Sequence, residues 1–287
     1  MIETVIPYRT RSIGPIEVRR ILPFAKRRSV GPFVFVDDFG PFEAVNDSSL
    51  DILPHPHIGL ATVTYLFSGH MTHRDSIGNV QRIVPGEVNW MSAGLGIVHS
   101  ERVSDAGNAE GDPIAGLQTW VALPEKHEES DPAFSHHPSS ELPELELDGV
   151  SLKLILGEYF DTSSPVETLG DPFYVECMSE KGGIMELGRE IEERAVYGLS
   201  GTFEIGGKAC GPGELAVLKS GVDAQVSAGP KSRFMILGGP ALESKRFMYW
   251  NFVSSSRERI EAAKDDWQNN RFGDIPNETG RIPLPKL

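Results

Sequence analysis

Short runs of apolar residues, closed off by Gly and Pro, recur along the whole chain. Residues 62–67 (TVTYLF), 87–91 (EVNWM), 117–123 (LQTWVAL) and 151–156 (SLKLIL) are rich in β-branched and aromatic side chains and predict strands. The second half repeats the style at 173–178, 195–199, 202–205, 214–218 and 233–237. Ser68-Gly69, Ile77-Gly78-Asn79, Pro85-Gly86 and Gly94-Leu95-Gly96 supply turns between them. Only one stretch has helical periodicity. Ser255 and Glu258 fit a capping box, Ile260, Ala263 and Trp267 follow on one face, and Gly273 lies beyond the end. Residues 124–148, which contain PEKHEESDP and SHHPSSELPELELD, read as an acidic linker or wrapping segment.

The two halves echo each other. Tyr65-Leu66-Phe67-Ser68-Gly69 resembles Tyr197-Gly198-Leu199-Ser200-Gly201, and Pro85-Gly86-Glu87-Val88 resembles Pro212-Gly213-Glu214-Leu215. A strand, a Ser-Gly turn, a hairpin and a Pro-Gly-Glu strand thus occur twice, which predicts an all-β chain built from a duplicated barrel. The expected division is residues 1–135 and residues 136–287, with the helix and the tail on the second unit. The length of 287 residues allows one large domain or two modest ones, and the repeat favours two. Thirty glycines and 21 prolines fit the many turns this requires.

Two pairs carry candidate chemistry. His55-Pro56-His57 is an HxH pair and His99-Ser100-Glu101 an HxE pair. Residues i and i+2 of a strand point to the same face, so each pair presents two ligands on one side. Neighbouring strands would bring all four together. Three imidazoles and one carboxylate suit iron, manganese, nickel, copper or zinc. The repeat supplies an internal control. Aligned on Ser-Gly, His55 and His57 fall on Leu187 and Arg189; aligned on Pro-Gly, His99 and Glu101 fall on Val226 and Ala228. The second barrel is therefore expected to be metal-free.

At these residues the sequence resembles the pirin family of the cupin superfamily. The stretches that carry the resemblance are PHPHIGLATVTYLFSG (54–69), HRDSIGN (73–79), PGEVNWMSAGLGIVHSE (85–101), LQTWVALP (117–124) and AVYGLSG with PGELAVL (195–218). It implies two tandem cupin barrels of the double-stranded β-helix type, with one divalent ion, Fe(II), in the first. It places the metal ligands at His55, His57, His99 and Glu101. Some members resemble flavonol dioxygenases that open the ring of quercetin, so a small aromatic substrate and dioxygen are the implied partners. Glu101 is then the candidate catalytic residue, accepting the proton of a substrate hydroxyl. The animal member looks like a redox-sensitive nuclear cofactor, so a non-enzymatic, redox-sensing module with a protein partner is the competing reading. A zinc isomerase-type cupin is a third. The sequence departs from the family at Ile58, Ala61 and Leu95, where many pirins carry Arg, Glu and Arg; Ala61 shares the parity of the histidines and Ile58 does not.

The remaining composition narrows the choice. Twenty-seven basic against 41 acidic residues leave a charge of −14, which disfavours direct contact with nucleic acid. MIETVIPYRT lacks the pattern of a secretory signal, and no apolar run is long enough to span a membrane, so a cytoplasmic protein is expected. Cys177 and Cys210 read as unpaired apolar residues. Hydrogen-bonding or surface roles are expected for His70, His73, His127, His136 and His137, and a turn or salt bridge for Asp37-Asp38. Trp90, Met91, Phe39, Tyr65 and Trp120 read as core residues that could also line a pocket.

Overall fold

The computed structural model describes residues 1–14, 16–45 and 47–286. Strands form at every run singled out above: Leu60–Ser68, Val88–Ser92, Pro113–Ala122, Val150–Leu156, Phe173–Ser179, Glu193–Ser200, Phe203–Ile205, Glu214–Leu218 and Ser232–Gly239. The chain makes two compact units. One comprises residues 11–18, 37–139 and 242–287, the other residues 1–10, 19–36 and 140–241. This differs from a single cut at 135/136 at both ends of the chain. The N-terminal strand Ile2–Pro7 pairs with Glu214–Leu218, and the C-terminal helix packs with Ile58 and Val98 inside the unit that holds residues 37–139. Local periodicity carries no information about such distant pairings.

The first unit is a jelly-roll barrel whose strands alternate between two antiparallel sheets. One sheet runs, in spatial order, Ile52–His57, Ile97–Arg102, Met71–Asp75, Val80–Ile83. The other includes Ala133–His137, Val88–Ser92, Leu60–Ser68 and Pro113–Ala122 as successive neighbours. The HxH strand lies at a sheet edge, where Pro54 and Pro56 remove ladder donors at least cost. Its register steps from His99↔His55 to Glu101↔Ile52, a bulge that sets Leu53 and Pro54 opposite Ser100.

The second unit repeats the plan. Its smaller sheet is Gly183–Leu187, Ala224–Ala228, Phe203–Ile205, Lys208–Cys210, and its larger one has seven strands beginning with Ile2–Pro7 and ending at Glu144–Leu147. It holds one apolar cluster that includes Val175, Cys177, Met185, Leu187, Phe203, Val226 and Phe234. Both cysteines are free and buried. No described helix is long and apolar enough to cross a membrane.

Several local expectations change. Residues 124–148 are not an open linker. They hold a 3₁₀ turn at Glu125–His127, a strand Ala133–His137 that extends the larger sheet of the first unit, and a strand Glu144–Leu147 paired with Val150–Leu156. Asp37 and Asp38 lie buried inside the strand Phe33–Glu43 instead of at a turn. The helix spans Arg257–Gln268 and its N-cap is Ser256, whose hydroxyl accepts the Arg259 N–H at 3.2 Å. Ser255 is engaged elsewhere: its N–H and hydroxyl both donate to Glu128. The apolar face Ile260, Ala263 and Trp267 is as expected, but it packs with Ile58, Val98 and Phe252, on the outer side of the HxH and HxE strands. The departure at Ile58 thus serves the helix seat. Gly59 ends the HxH strand at φ +66°, and a Cβ there would sit 2.0 Å from the Val253 oxygen, so only Gly permits this approach. This turn also resets the side-chain alternation, and Ala61 belongs to the opposite sheet, paired with Ser92 and Val121.

Candidate metal centre

The HxE strand is the middle of three. Its Ile97 faces His57 and its His99 faces His55 on one side; on the other, His99 faces Asp75 and Glu101 faces His73. All these side chains except Ile97 are polar, and all are buried. His57 and His99 are each 1% exposed, while His55 and Glu101 at 7% form the most accessible edge of the group. The three imidazoles converge, with one ring nitrogen of each within 4.8 Å of the others. Glu101 stands beside them, Oε2 at 3.9 Å from His55 Nε2 and Oε1 at 3.7 Å from His99 Nδ1.

Hydrogen bonds fix which nitrogens are free. His55 Nδ1 lies 2.9 Å from the Leu53 carbonyl oxygen and His57 Nδ1 lies 3.2 Å from that of Asn251. A carbonyl only accepts, so both rings carry their proton on Nδ1 and present Nε2 as a donor atom. His99 Nε2 and Glu101 Oε2 are buried without a hydrogen-bond partner. Orphaned buried acceptors are costly, and a cation between these atoms would satisfy them. The donor set therefore fits a borderline divalent metal. Trp120, 6% exposed, packs edge-on against His57 with ring centroids 5.1 Å apart.

Burial governs the ionisation of the group. It pushes His55 down to about 4, against the opposing pull of the Leu53 carbonyl, and it holds His57 and His99 well below their ordinary value. It pushes the Glu101 carboxyl up to about 8, with the Arg102 guanidinium pulling the other way. The signs of linkage follow. The depressed histidines contribute stability that is present above 6.5 and is lost as pH falls towards 4. The raised carboxyl contributes stability that is present below 4.5 and is lost as pH rises through about 8. Melts of the chelator-treated protein between these limits should show this group's contribution greatest near neutrality. A curve that kept rising on acidification from pH 6.5 to 5 would contradict the burial of three neutral imidazoles.

The other histidines have separate roles. His70 Nδ1 meets the Arg82 guanidinium at 2.8 Å, His136 meets Asn89 at 2.8 Å, and His137 lies 3.2 Å from the Ser135 hydroxyl. His73 does not: it is 5% exposed, faces Glu101 across the ladder and stacks on Phe134 at 4.4 Å. The sequence carried a signal for it, because His73-Arg74-Asp75 is a third pair with i, i+2 spacing. The Asn251 carbonyl had no such signal, since the main chain offers one at every residue.

The structural register also revises the internal alignment. His55 pairs with His99 as Met185 pairs with Val226, so His55 and His57 correspond to Met185 and Leu187 rather than to Leu187 and Arg189. The connection before the Ser-Gly strand is longer in the second copy, running from Leu187 to Glu193 instead of from His57 to Leu60. The Pro-Gly alignment of His99 with Val226 and Glu101 with Ala228 agrees with this register. Among the described residues, no second group of three potential metal ligands comes together.

Comparison with known proteins agrees with the duplicated fold. A "Pirin-like protein" of Caulobacter vibrioides is 44% identical over the full length of both chains. Human "Pirin" is 30% identical, with 89% of this chain and 88% of that protein aligned. A crystal structure of quercetin 2,3-dioxygenase from Acinetobacter baumannii superposes with a TM-score of 0.90 at 33% identity, covering 99% of this chain and 95% of that one. The Pirin family profile matches residues 15–121 and that of the Pirin C-terminal cupin domain matches residues 174–273, and the chain accordingly belongs to the pirin family, as a bicupin.

Proposed function

We propose that the protein is a metal-dependent dioxygenase of the quercetin 2,3-dioxygenase type, acting on a flavonol or a similar aromatic enediol. The observation that carries this reading is the buried group of three imidazoles with an unpartnered carboxylate oxygen beside it. The likeness to the Acinetobacter baumannii dioxygenase supports it. His55, His57 and His99, through their Nε2 atoms, and Glu101 would hold one Fe(II). A bound iron would supply Lewis acidity and one-electron chemistry towards a deprotonated aromatic oxygen and dioxygen.

The chain's own residues have distinct tasks. The Glu101 carboxyl stands beside the imidazoles with Oε2 free of any hydrogen-bond partner, so as a carboxylate it is placed to take the proton of the substrate hydroxyl. Burial of the group, with Trp120 packed against His57, keeps water from the reacting groups. In a reducing cytoplasm the buried cysteines would stay unpaired and take no part.

Oxygen-electrode assays of Fe(II)-loaded protein with a panel of flavonols and catechols test the proposal. Oxygen uptake should track loss of the flavonol and should disappear in Glu101→Gln. A fully iron-loaded protein that consumes no oxygen across the panel would overturn it and leave the binding-module reading.

A further inference from the structure

Two buried polar residues beside the metal centre have no task in that account. The Asp75 carboxylate accepts from the Ile77 N–H at 3.1 Å, the Asn79 N–H at 2.9 Å and the Asn79 side-chain amide at 2.9 and 3.1 Å. Its Oδ2 also lies 2.9 Å from His73 Nε2. A carboxylate surrounded by donors is acceptor-only, so His73 carries its proton on Nε2 and its Nδ1 becomes an acceptor. That Nδ1 faces His99 Nδ1 at 3.4 Å. One of two facing ring nitrogens must donate, so His99 is protonated on Nδ1. Its Nε2, the buried atom without a partner, is then the free donor atom. The Phe134 ring stacks on His73 at an interplanar angle of 15° and holds the ring in place.

The second barrel shows what these positions hold when no metal group is built. Ladder pairing matches His73 to Phe203 and Asp75 to Ile205, as it matches His55, His57, His99 and Glu101 to Met185, Leu187, Val226 and Ala228. All six counterparts are buried in one apolar cluster. The fold is therefore satisfied by an apolar residue at the His73 position, where burying an imidazole is a cost without a structural need, whereas Asp75 also holds the turn that runs to Asn79.

We infer that His73 and Asp75 are positioning residues of the metal centre, which lock His99 in the Nδ1–H tautomer and aim its Nε2 at the ion. Carboxylates commonly orient a ligating imidazole directly; here a second imidazole stands between them. The inference rests on the metal-centre reading above. It stands apart from the choice of substrate.

The test is metal affinity, measured by chelator competition with Fe(II) and with Co(II), whose visible absorption bands report ligand geometry. His73→Phe installs the residue that the second barrel carries and keeps a ring against Phe134. Asp75→Asn keeps most turn contacts and removes the charge. Each variant should bind about 10–100-fold more weakly, with altered Co(II) bands, while metal-free His73→Phe melts as the parent does or higher. His73→Gln, which can accept from His99 and donate to Asp75, should recover most of the affinity. Affinity within about twofold of the parent in both His73→Phe and Asp75→Asn would overturn the inference, given that losses of at least tenfold are expected. So would a metal-free His73→Phe that does not fold, since the pair would then be needed by the barrel itself. A parent protein that takes up neither ion would instead refute the metal reading beneath it.

Discussion

His57→Ala is expected to remove metal binding while both barrels stay folded. His57 is 1% exposed, is one of three converging imidazoles and has its ring set by the Asn251 carbonyl and by Trp120. Residues that only orient a ligand are commonly worth 10–100-fold in affinity, so loss of a ligand itself should exceed about 100-fold. The structural cost is smaller. The substitution leaves one carbonyl without its donor and opens space beside Trp120, about 1–3 kcal/mol in total. The apolar clusters of each unit are untouched. Metal content by emission spectroscopy and chelator competition, with thermal melts in parallel, separates the two effects. Leu187→Ala makes the matched control at the corresponding ladder position of the other barrel. It should cost about 2–5 kcal/mol of stability and leave the metal bound. Full metal occupancy in folded His57→Ala would show that the imidazoles are not the ligands. A variant unable to fold would show a structural site and weaken the case for an enzyme.

The contrast between these positions explains how much could be read in advance. The strands were legible because each is a half-buried or fully buried run with its own turn residues, a purely local property. The HxH and HxE pairs were legible because strand alternation is local as well. Everything that depends on two distant segments was harder to see. Side-chain alternation does not carry from His57 to Ala61 because Gly59 breaks the strand. The Ser-Gly alignment failed at Arg189 because loop length is free to vary between copies. His73 stood in a quoted motif, yet its task shows only through the ladder that sets it opposite Glu101. The capping box was displaced by one residue because a tertiary contact, Glu128 with Ser255, outweighed the local choice.

The same C-terminal segment reaches the centre from behind. Ile282 donates its N–H to the Pro54 carbonyl at 2.9 Å. The Glu278 carboxylate accepts from the Ser100 hydroxyl at 2.9 Å and from the Arg102 guanidinium, on the outward positions of the HxE strand. Asn251 sets His57 from the strand-turn just before Phe252–Ser254. Geometry at the candidate ligands is thus tied to the anchoring of residues 242–287.

That anchoring centres on a buried ion pair, and breaking it should produce the largest loss of stability. Arg246 and Glu128, with side chains 3% and 6% exposed, approach to 2.9 Å. Glu128 also accepts from the hydroxyls of Ser254 and Ser255 at 3.0 and 2.9 Å and from the Ser255 N–H. Arg246 donates to the Leu123 carbonyl at 3.0 Å and to Ser244. Removing one partner strands the other charge in a site with little water, at a cost of about 3–5 kcal/mol. Glu128→Leu and Arg246→Met should each lose stability on this scale in denaturant titrations. The double variant should recover part of it, since an apolar pair replaces an ion pair without an orphaned charge. Glu128→Leu should lose more than Arg246→Met, because it also frees Ser254, Ser255 and the start of the helix. Metal affinity should fall with it, as the Asn251 carbonyl loosens its hold on His57. Additive losses in the double variant would show that the two charges do not depend on each other. Unchanged metal affinity in a folded Glu128→Leu variant would show that the ligand strands keep their geometry without this anchor.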